Sequence, residues 1–301
     1  MTTIAPAGGM SAPDQQPLAA VLWMVLTMAL FVGMDTIAKS LTTTLPTGQI
    51  VWGRYIFHAA FLVLILNRRV VRVMHTRRPW LQLARSAILL VTTAVFFLGL
   101  RYLGLATASS IMFLSPLLVT LLSVPLLGEE VGWRRILSVL VGFAGALVII
   151  RPGSDALGLA ALFPLAAAFL YAFYQITTRI LSRTDAPMTT LCYSAVVGGV
   201  ISSLALFAGW VSPTPTEWAM MVAMGVLGAV GHFALIKAFS LANAAVASPF
   251  GYTSLLWATL FGYLAFGDLP DLWTIVGAAV IVASGLYILY RERLKKMRGA
   301  A

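Results

Sequence analysis

Four ionisable side chains stand inside runs of sequence that are otherwise apolar: Asp35, Arg54, His58 and His232. A charge at the centre of hydrocarbon costs about 2.5–3.5 kcal/mol on insertion scales, so each needs a reason to be there. Asp35 is the one carboxylate among the 10 acids that falls well within such a run; the rest lie in tails, joints or run ends. Arg54 sits roughly 12 Å into its run at helical rise, and His58, one turn further, shares its helix face. Arg54 or His58 can meet a substrate carboxylate; equally, Arg54 can pair with Asp35 and lock that part of the chain. His232 offers a proton- or substrate-binding imidazole, or a neutral ring donating to a helix carbonyl.

Aromatic and amide groups give a second signal. Tyr171, Tyr174 and Gln175 recur at helical spacing and share one polar-tipped face, and Tyr252 and Trp257 lie in a later run. Such amphipathic rings can hold an apolar body while a hydroxyl or indole N–H bonds a polar group; they can equally be core. Trp52, Trp80, Trp218 and Trp273 fall near run ends, where an interfacial belt is expected. Pro116 and Pro249 each follow a serine, and each removes a helical hydrogen bond, so both mark places where a helix can bend or gate. Lys237 and Arg101 sit near run ends, where long basic side chains snorkel to headgroups.

These residues are positioned by membrane-spanning elements. Apolar residues make up 60% of the 301 and charged residues 10%, far from the roughly one-quarter charged composition of soluble domains. Ten runs are long enough to cross a bilayer, at about 18–41, 46–67, 80–101, 105–124, 132–150, 156–182, 187–210, 216–241, 244–266 and 271–291. Period-2 alternation is absent, so they read as helices, and the short joints predict antiparallel packing of successive helices. The net charge of +10 does not point to nucleic acid. Of the 20 lysines and arginines, 16 fall in even-numbered joints and the C-terminal tail, Arg85 just beyond the second joint among them. By the positive-inside rule both termini are cytoplasmic. Residues 1–17, without a basic n-region, read as a disordered tail rather than a cleaved signal. The single Cys192 excludes an intrachain disulfide.

The chain also repeats. Leu105-Ala106-Thr107-Ala108 returns as Leu241-Ala242-Asn243-Ala244, Gly128-Glu129 as Gly267-Asp268, and Trp133 as Trp273. Asp35 and Lys39 align with Gln175 and Arg179 at the same lag. Each half, 18–151 and 152–291, then holds five spans, with 292–301 a basic tail. Five is odd, so the second half enters the membrane inverted, and two inverted halves supply the two near-equivalent states that alternating access requires. Small residues at Gly142, Gly145, Gly225, Gly228, Gly231, Gly277 and Gly285 allow close helix approach, as a sliding surface or as static packing.

On Arg54, the Leu105–Ala108 motif, Pro116, Gly128-Glu129, Gly142 and Gly145, the sequence resembles the drug/metabolite transporter superfamily. It is similar in particular to its ten-helix EamA-type exporters, and among those to the YddG-type exporters of aromatic and other neutral amino acids. Tyr252 replaces the proline that the repeat would place opposite Pro116, with Pro249 three residues earlier, so the two halves are not expected to bend alike. The resemblance implies export of a small amphipathic metabolite, in the first place a neutral or aromatic amino acid.

Catalytic readings lack support: the sequence has no phosphate-binding glycine loop with lysine, no paired zinc-binding histidines, no nucleophile-elbow serine and no intramembrane pair of aspartates. The expectation is therefore an all-α membrane protein of ten transmembrane helices in two five-helix inverted repeats. It is a non-enzymatic secondary transporter of the bacterial inner membrane, without cofactor or metal. Its partners are a small-molecule substrate and the lipid bilayer, with no nucleic acid, and it works as a monomer. Substrate contact is assigned to Arg54, His58, Tyr171, Gln175, His232, Tyr252 and Trp257, and gating or structural roles to Asp35, Lys39, Pro116 and Pro249. A carrier for another metabolite class, such as a nucleotide sugar or drug, stays open, as does a membrane enzyme or lipid-handling scaffold.

Overall fold

A computed structural model describes residues 17–127, 133–151, 158–182, 184–205, 209–241 and 248–299. The N-terminal tail, Gly128-Glu129 and Ala242–Ala244 lie outside them, and so does the Pro249 side chain. The described elements are all helical: α1 (Pro17–Leu41), α2 (Thr47–Leu66), α3 (Arg69–Val73), α4 (Pro79–Leu100), α5 (Leu105–Met112), α6 (Ser115–Leu127), α7 (Trp133–Ile150), α8 (Leu162–Leu181), α9 (Pro187–Ala205), α10 (Pro215–Leu241), α11 (Ser254–Phe266) and α12 (Leu272–Gly299). Single 3-10 segments, Gly158–Ala161 and Ser248–Thr253, lead into α8 and α11. Among the described residues, seven stretches are long and apolar enough to cross a membrane, α5 and α6 counting as one, and three shorter apolar helices accompany them. A helix satisfies its own backbone, which is what hydrocarbon demands.

The fourth run is continuous in sequence and broken in space. Pro116 has no N–H to offer the Met112 carbonyl. The chain crosses the gap with tighter i→i+3 bonds, Phe113 N to Ser110 O at 3.2 Å and Leu114 N to Ile111 O at 3.1 Å, before α6 resumes. The end of α11 is equally specific. Gly267 takes φ 70°, and its N–H and that of Asp268 cap the Tyr263 and Gly262 carbonyls at 2.9 and 3.2 Å. Only a residue free to adopt the left-handed region turns the chain there without strain, and the turn delivers Asp268 to Lys39.

Packing departs from the expected succession of antiparallel neighbours. The most extensive contacts join α1 to α10, α7 to α12, α4 to α8, α10 to α2, α2 to α9 and α4 to α9, all distant in sequence. Small residues decide this. A Cβ placed on Gly145 of α7 would come 2.9 Å from the Gly277 carbonyl oxygen of α12, and one on Gly225 of α10 would meet the His58 backbone nitrogen of α2 at 2.7 Å. Where backbones approach this closely, dispersion contacts and not apolar burial hold helices together in lipid.

Candidate substrate cavity

Between α1, α2, α4, α5, α6, α8, α10, α12 and the Ser248–Thr253 segment lies a cavity of about 590 Å³, within the range of small-molecule sites, about 300–1,000 Å³. Its walls combine Met24, Met28, Met34 and Met112 with Phe31, Phe96 and Phe113, while Asp35, Arg54, Thr93, Ser109, Gln175 and His232 supply polar groups. Unbranched thioethers adapt to differently shaped apolar ligands. The cavity runs from Asp35 and Arg54 to Met24 near the start of α1, Thr120 on α6 and Ile288 on α12.

At the other end of α1 the described residues seal the bundle. Leu41, Leu45, Leu103 and Leu105 are buried. Two ion pairs lie over them: Lys39 Nζ to Asp268 Oδ2 and Arg151 Nη2 to Asp271 Oδ2, each at 2.6 Å. Thr44 Oγ1 donates to Glu217 at 2.5 Å, and Trp52, Trp210 and Trp218 pack edge to face nearby. The Asp271 carboxyl, in the joint before α12, is held below the usual carboxylate range, first by the Thr274 side-chain hydrogen bond and also by Arg151.

Most of the residues singled out from sequence converge here. Asp35, Arg54, Pro116, Tyr171, Gln175, His232 and Tyr252 all line the cavity. Gln175 Nε2 donates to Ser115 Oγ at 2.8 Å, tying α8 to the break before Pro116. Tyr252 packs edge-on against Phe113 at 5.2 Å. His232 Nδ1 lies 2.8 Å from the Gly228 carbonyl. A carbonyl only accepts, so Nδ1 carries the proton and, in the neutral ring, Nε2 is left as an acceptor. His58 is outside the lining; it is buried behind, its ring 5.7 Å from that of His232. Trp257 is also outside it, packed on Phe261 at 5.6 Å. Lys39 belongs to the sealed end.

Arg54 and Asp35 do not form an ion pair among the described residues. Arg54 Nη1 instead donates to Thr93 Oγ1 at 2.7 Å. Thr93 gives its own proton to the Leu89 carbonyl at 2.9 Å, so its oxygen accepts from both Arg54 and Tyr55, the latter at 3.0 Å.

One residue read from sequence as a topology charge has a different place. Arg85 is 3% exposed. It donates to Thr178 Oγ1 at 2.7 Å, the Thr190 carbonyl at 3.1 Å, Ser194 Oγ at 2.7 Å and Tyr174 Oη at 2.5 Å. Its acceptors come from α8 and α9, far along the chain, which is why its position beside a basic joint concealed it. Through Tyr174, stacked on Tyr171 at 5.3 Å, Arg85 braces an aromatic face of the cavity. The methionine wall was missed too, although Met24 and Met28 sit at helical spacing.

The family model for EamA-like transporters matches residues 18–151 and again 158–290. Among curated proteins, the chain is similar to an S-adenosylmethionine uptake transporter of Rickettsia bellii, 28% identical over 90% of this chain and 93% of that one. It is 31% identical to a riboflavin transporter of Rhizobium johnstonii over 93% of each. It is 27% identical to a pseudopaline exporter of Pseudomonas aeruginosa over 88% of this chain and 93% of that one. A solved crystal structure 20% identical superposes with a TM-score of 0.65 over 92% of this chain and 99% of its own, a likeness of fold. A multi-pass bundle, a metabolite-sized cavity and a family model matched twice agree: the chain is a membrane transporter of small metabolites, not an enzyme, and belongs to the EamA-like transporter family.

Proposed function

We propose that this protein is a secondary transporter of the bacterial inner membrane that moves amphipathic metabolites with a bulky aromatic or heteroaromatic body by alternating access. The observation that carries this is the cavity itself: methionine and aromatic walls contributed by both halves, closed at one end by the ion pairs at Lys39 and Arg151. A ligand as small as a free amino acid would leave much of its volume to water. A flat ring system with a polar tail fills it better. S-adenosylmethionine and riboflavin, named for two relatives, have that character.

The ten-helix inverted repeat is part of this reading. Matching α1 with α8, α2 with α9, α4 with α10, α5–α6 with the Ser248–Phe266 stretch and α7 with α12 turns the α1–α10 contact into α8–α4. It likewise turns α2–α10 into α9–α4 and α1–α11 into α8–α6, while α2–α9 and α7–α12 map onto themselves. A packing pattern invariant under exchange of halves supports two states of similar energy, the condition for switching. With both termini cytoplasmic, as the basic residues suggest, the cavity faces the cytoplasm. The export of neutral or aromatic amino acids suggested by the YddG-type resemblance is the narrower reading; one relative is named as an uptake carrier and another as an exporter, so net direction is assigned to the substrate gradient.

Reconstitution tests it. Vesicles containing the purified protein are loaded in turn with labelled S-adenosylmethionine, riboflavin or L-phenylalanine, and efflux is followed. Saturable efflux of at least one heteroaromatic probe, faster than phenylalanine, is expected. Efflux of phenylalanine alone restores the amino-acid reading, and no protein-dependent efflux of any probe removes this proposal.

A further inference from the structure

We infer that Asp35 and Arg54 form a two-point clamp for a zwitterionic amino-acid head group, the carboxylate docking on Arg54 and the ammonium on Asp35. This rests on the transport reading above and names the head group that its cavity selects.

The state of the two side chains leads to it. Arg54 is 9% exposed, and one corner of its guanidinium is committed, through Nη1, to Thr93. Thr93 is itself fixed by its bond to the Leu89 carbonyl, so that corner acts as a pivot held in place. Nε is buried without any partner, and no hydrogen bond within the described residues engages Nη2. Nη2 is therefore the donor left to meet a carboxylate from the cavity, through one charge-assisted N–H···O bond. On α1, Asp35 faces the same cavity with no hydrogen bond or ion pair among the described residues. A carboxylate only accepts, so its complement is a donor or a cation.

Leaving a carboxyl group and a guanidinium in one membrane-embedded cavity without joining them is costly. Were they there for stability, their direct pairing would recover part of the desolvation energy that burial removes. Kept apart, they present a separated positive and negative site, which is the charge pattern of an amino-acid head read in reverse. Anions alone would leave Asp35 unmatched, and cations alone would leave Arg54 unmatched. The remaining walls carry Met28, Phe31 and the Tyr171–Tyr174 stack, which suit the apolar or planar body attached to such a head. S-adenosylmethionine carries both charges on its methionine part; riboflavin carries neither.

The test is calorimetric binding to the full-length protein in lipid nanodiscs. The probes are S-adenosylmethionine, L-phenylalanine, phenethylamine (no carboxylate) and phenylpropionate (no ammonium). For wild type, each missing charge should weaken binding about tenfold relative to phenylalanine, the scale of one charge-assisted hydrogen bond. Arg54→Gln should erase the difference between phenylalanine and phenethylamine while leaving that with phenylpropionate. Asp35→Asn should do the converse. Both substitutions remove a charge and keep a polar side chain, and the crossed pattern distinguishes recognition from general damage. Equal weakening of all four probes by both variants, or single-headed congeners binding as well as phenylalanine, overturns the clamp. Riboflavin efflux from vesicles without binding of any zwitterion also overturns it, yet leaves the transport reading intact.

Discussion

Neutralising Asp268 at the sealed end should loosen that end by a calculable amount. The Lys39–Asp268 contact is short, 2.6 Å, and its side chains are 15% and 46% exposed. Lys39 also lies 4.6 Å from the Phe266 ring centre. A pair this accessible is screened by solvent, so its worth stays near the upper end of the surface range, about 1 kcal/mol. Removing it multiplies the fraction of molecules open at that end roughly fivefold, since 1.4 kcal/mol is tenfold. Cys192 is the single native cysteine and is buried, so a Cys192→Ala background accepts a reporter cleanly. Leu45→Cys, at a position only 3% exposed behind the seal, is then labelled from the sealed side by a membrane-impermeant maleimide. Asp268→Asn and Lys39→Met should each raise the labelling rate roughly fivefold, and the double variant should add nothing further, as a coupled pair requires. Unchanged rates, or additive ones, refute the latch. The neighbouring pair adds a pH signature. Asp271 has a folded-state value below its unfolded one, so its stabilisation is full above the ordinary carboxylate value, about 4. It is lost as pH falls through the depressed folded value. Relative to a fully exposed cysteine, whose own rate falls with its thiolate fraction, labelling should therefore accelerate in that acidic window, and less so in Asp271→Asn.

Two further expectations concern the scaffold. Gly145→Ala places a Cβ 2.9 Å from the Gly277 carbonyl oxygen, whereas Gly251→Ala meets nothing within 4 Å; thermal unfolding in detergent should show Gly145→Ala destabilised by about 1–3 kcal/mol and Gly251→Ala near wild type. Arg85→Lys keeps a buried charge but cannot span acceptors on two helices, so it should cost about 2–3 kcal/mol or more; Arg85→Met removes the charge as well and should unfold at the higher temperature of the two, the reverse order counting against the hydrogen-bonded role assigned to Arg85.

Much of the site was legible because membrane burial makes polar residues conspicuous. Asp35, Arg54, Gln175 and His232 stood out as polar residues within apolar runs, and helical spacing put Tyr171, Tyr174 and Gln175 on one face. The same logic failed at Arg85: next to Arg77 and Arg78, it looks like one more anchor at the membrane surface. Its burial depends on Thr178, Thr190 and Ser194, and nothing local announces that those hydroxyl and carbonyl groups will surround it. His58 illustrates the opposite situation. One turn from Arg54 was close enough in sequence to suggest a shared site, yet the tight approach of α2 to α10 at Gly225 places its ring behind the cavity wall.

The amino-acid sequence by itself determined that this is a helical membrane protein, where its helices run, and which few polar groups their interiors contain. Those properties follow from hydrophobicity and backbone hydrogen bonding, and both act locally along the chain. Only the tertiary structure decided that α1 packs on α10 and not on its successor, that Arg54 binds Thr93 and, among the described residues, not Asp35, and that Asp268 closes over Lys39. In lipid, apolar surface does not discriminate between helix partners. The choice falls to close backbone contact at residues such as Gly145 and Gly277, and to hydrogen bonds between groups far apart in sequence.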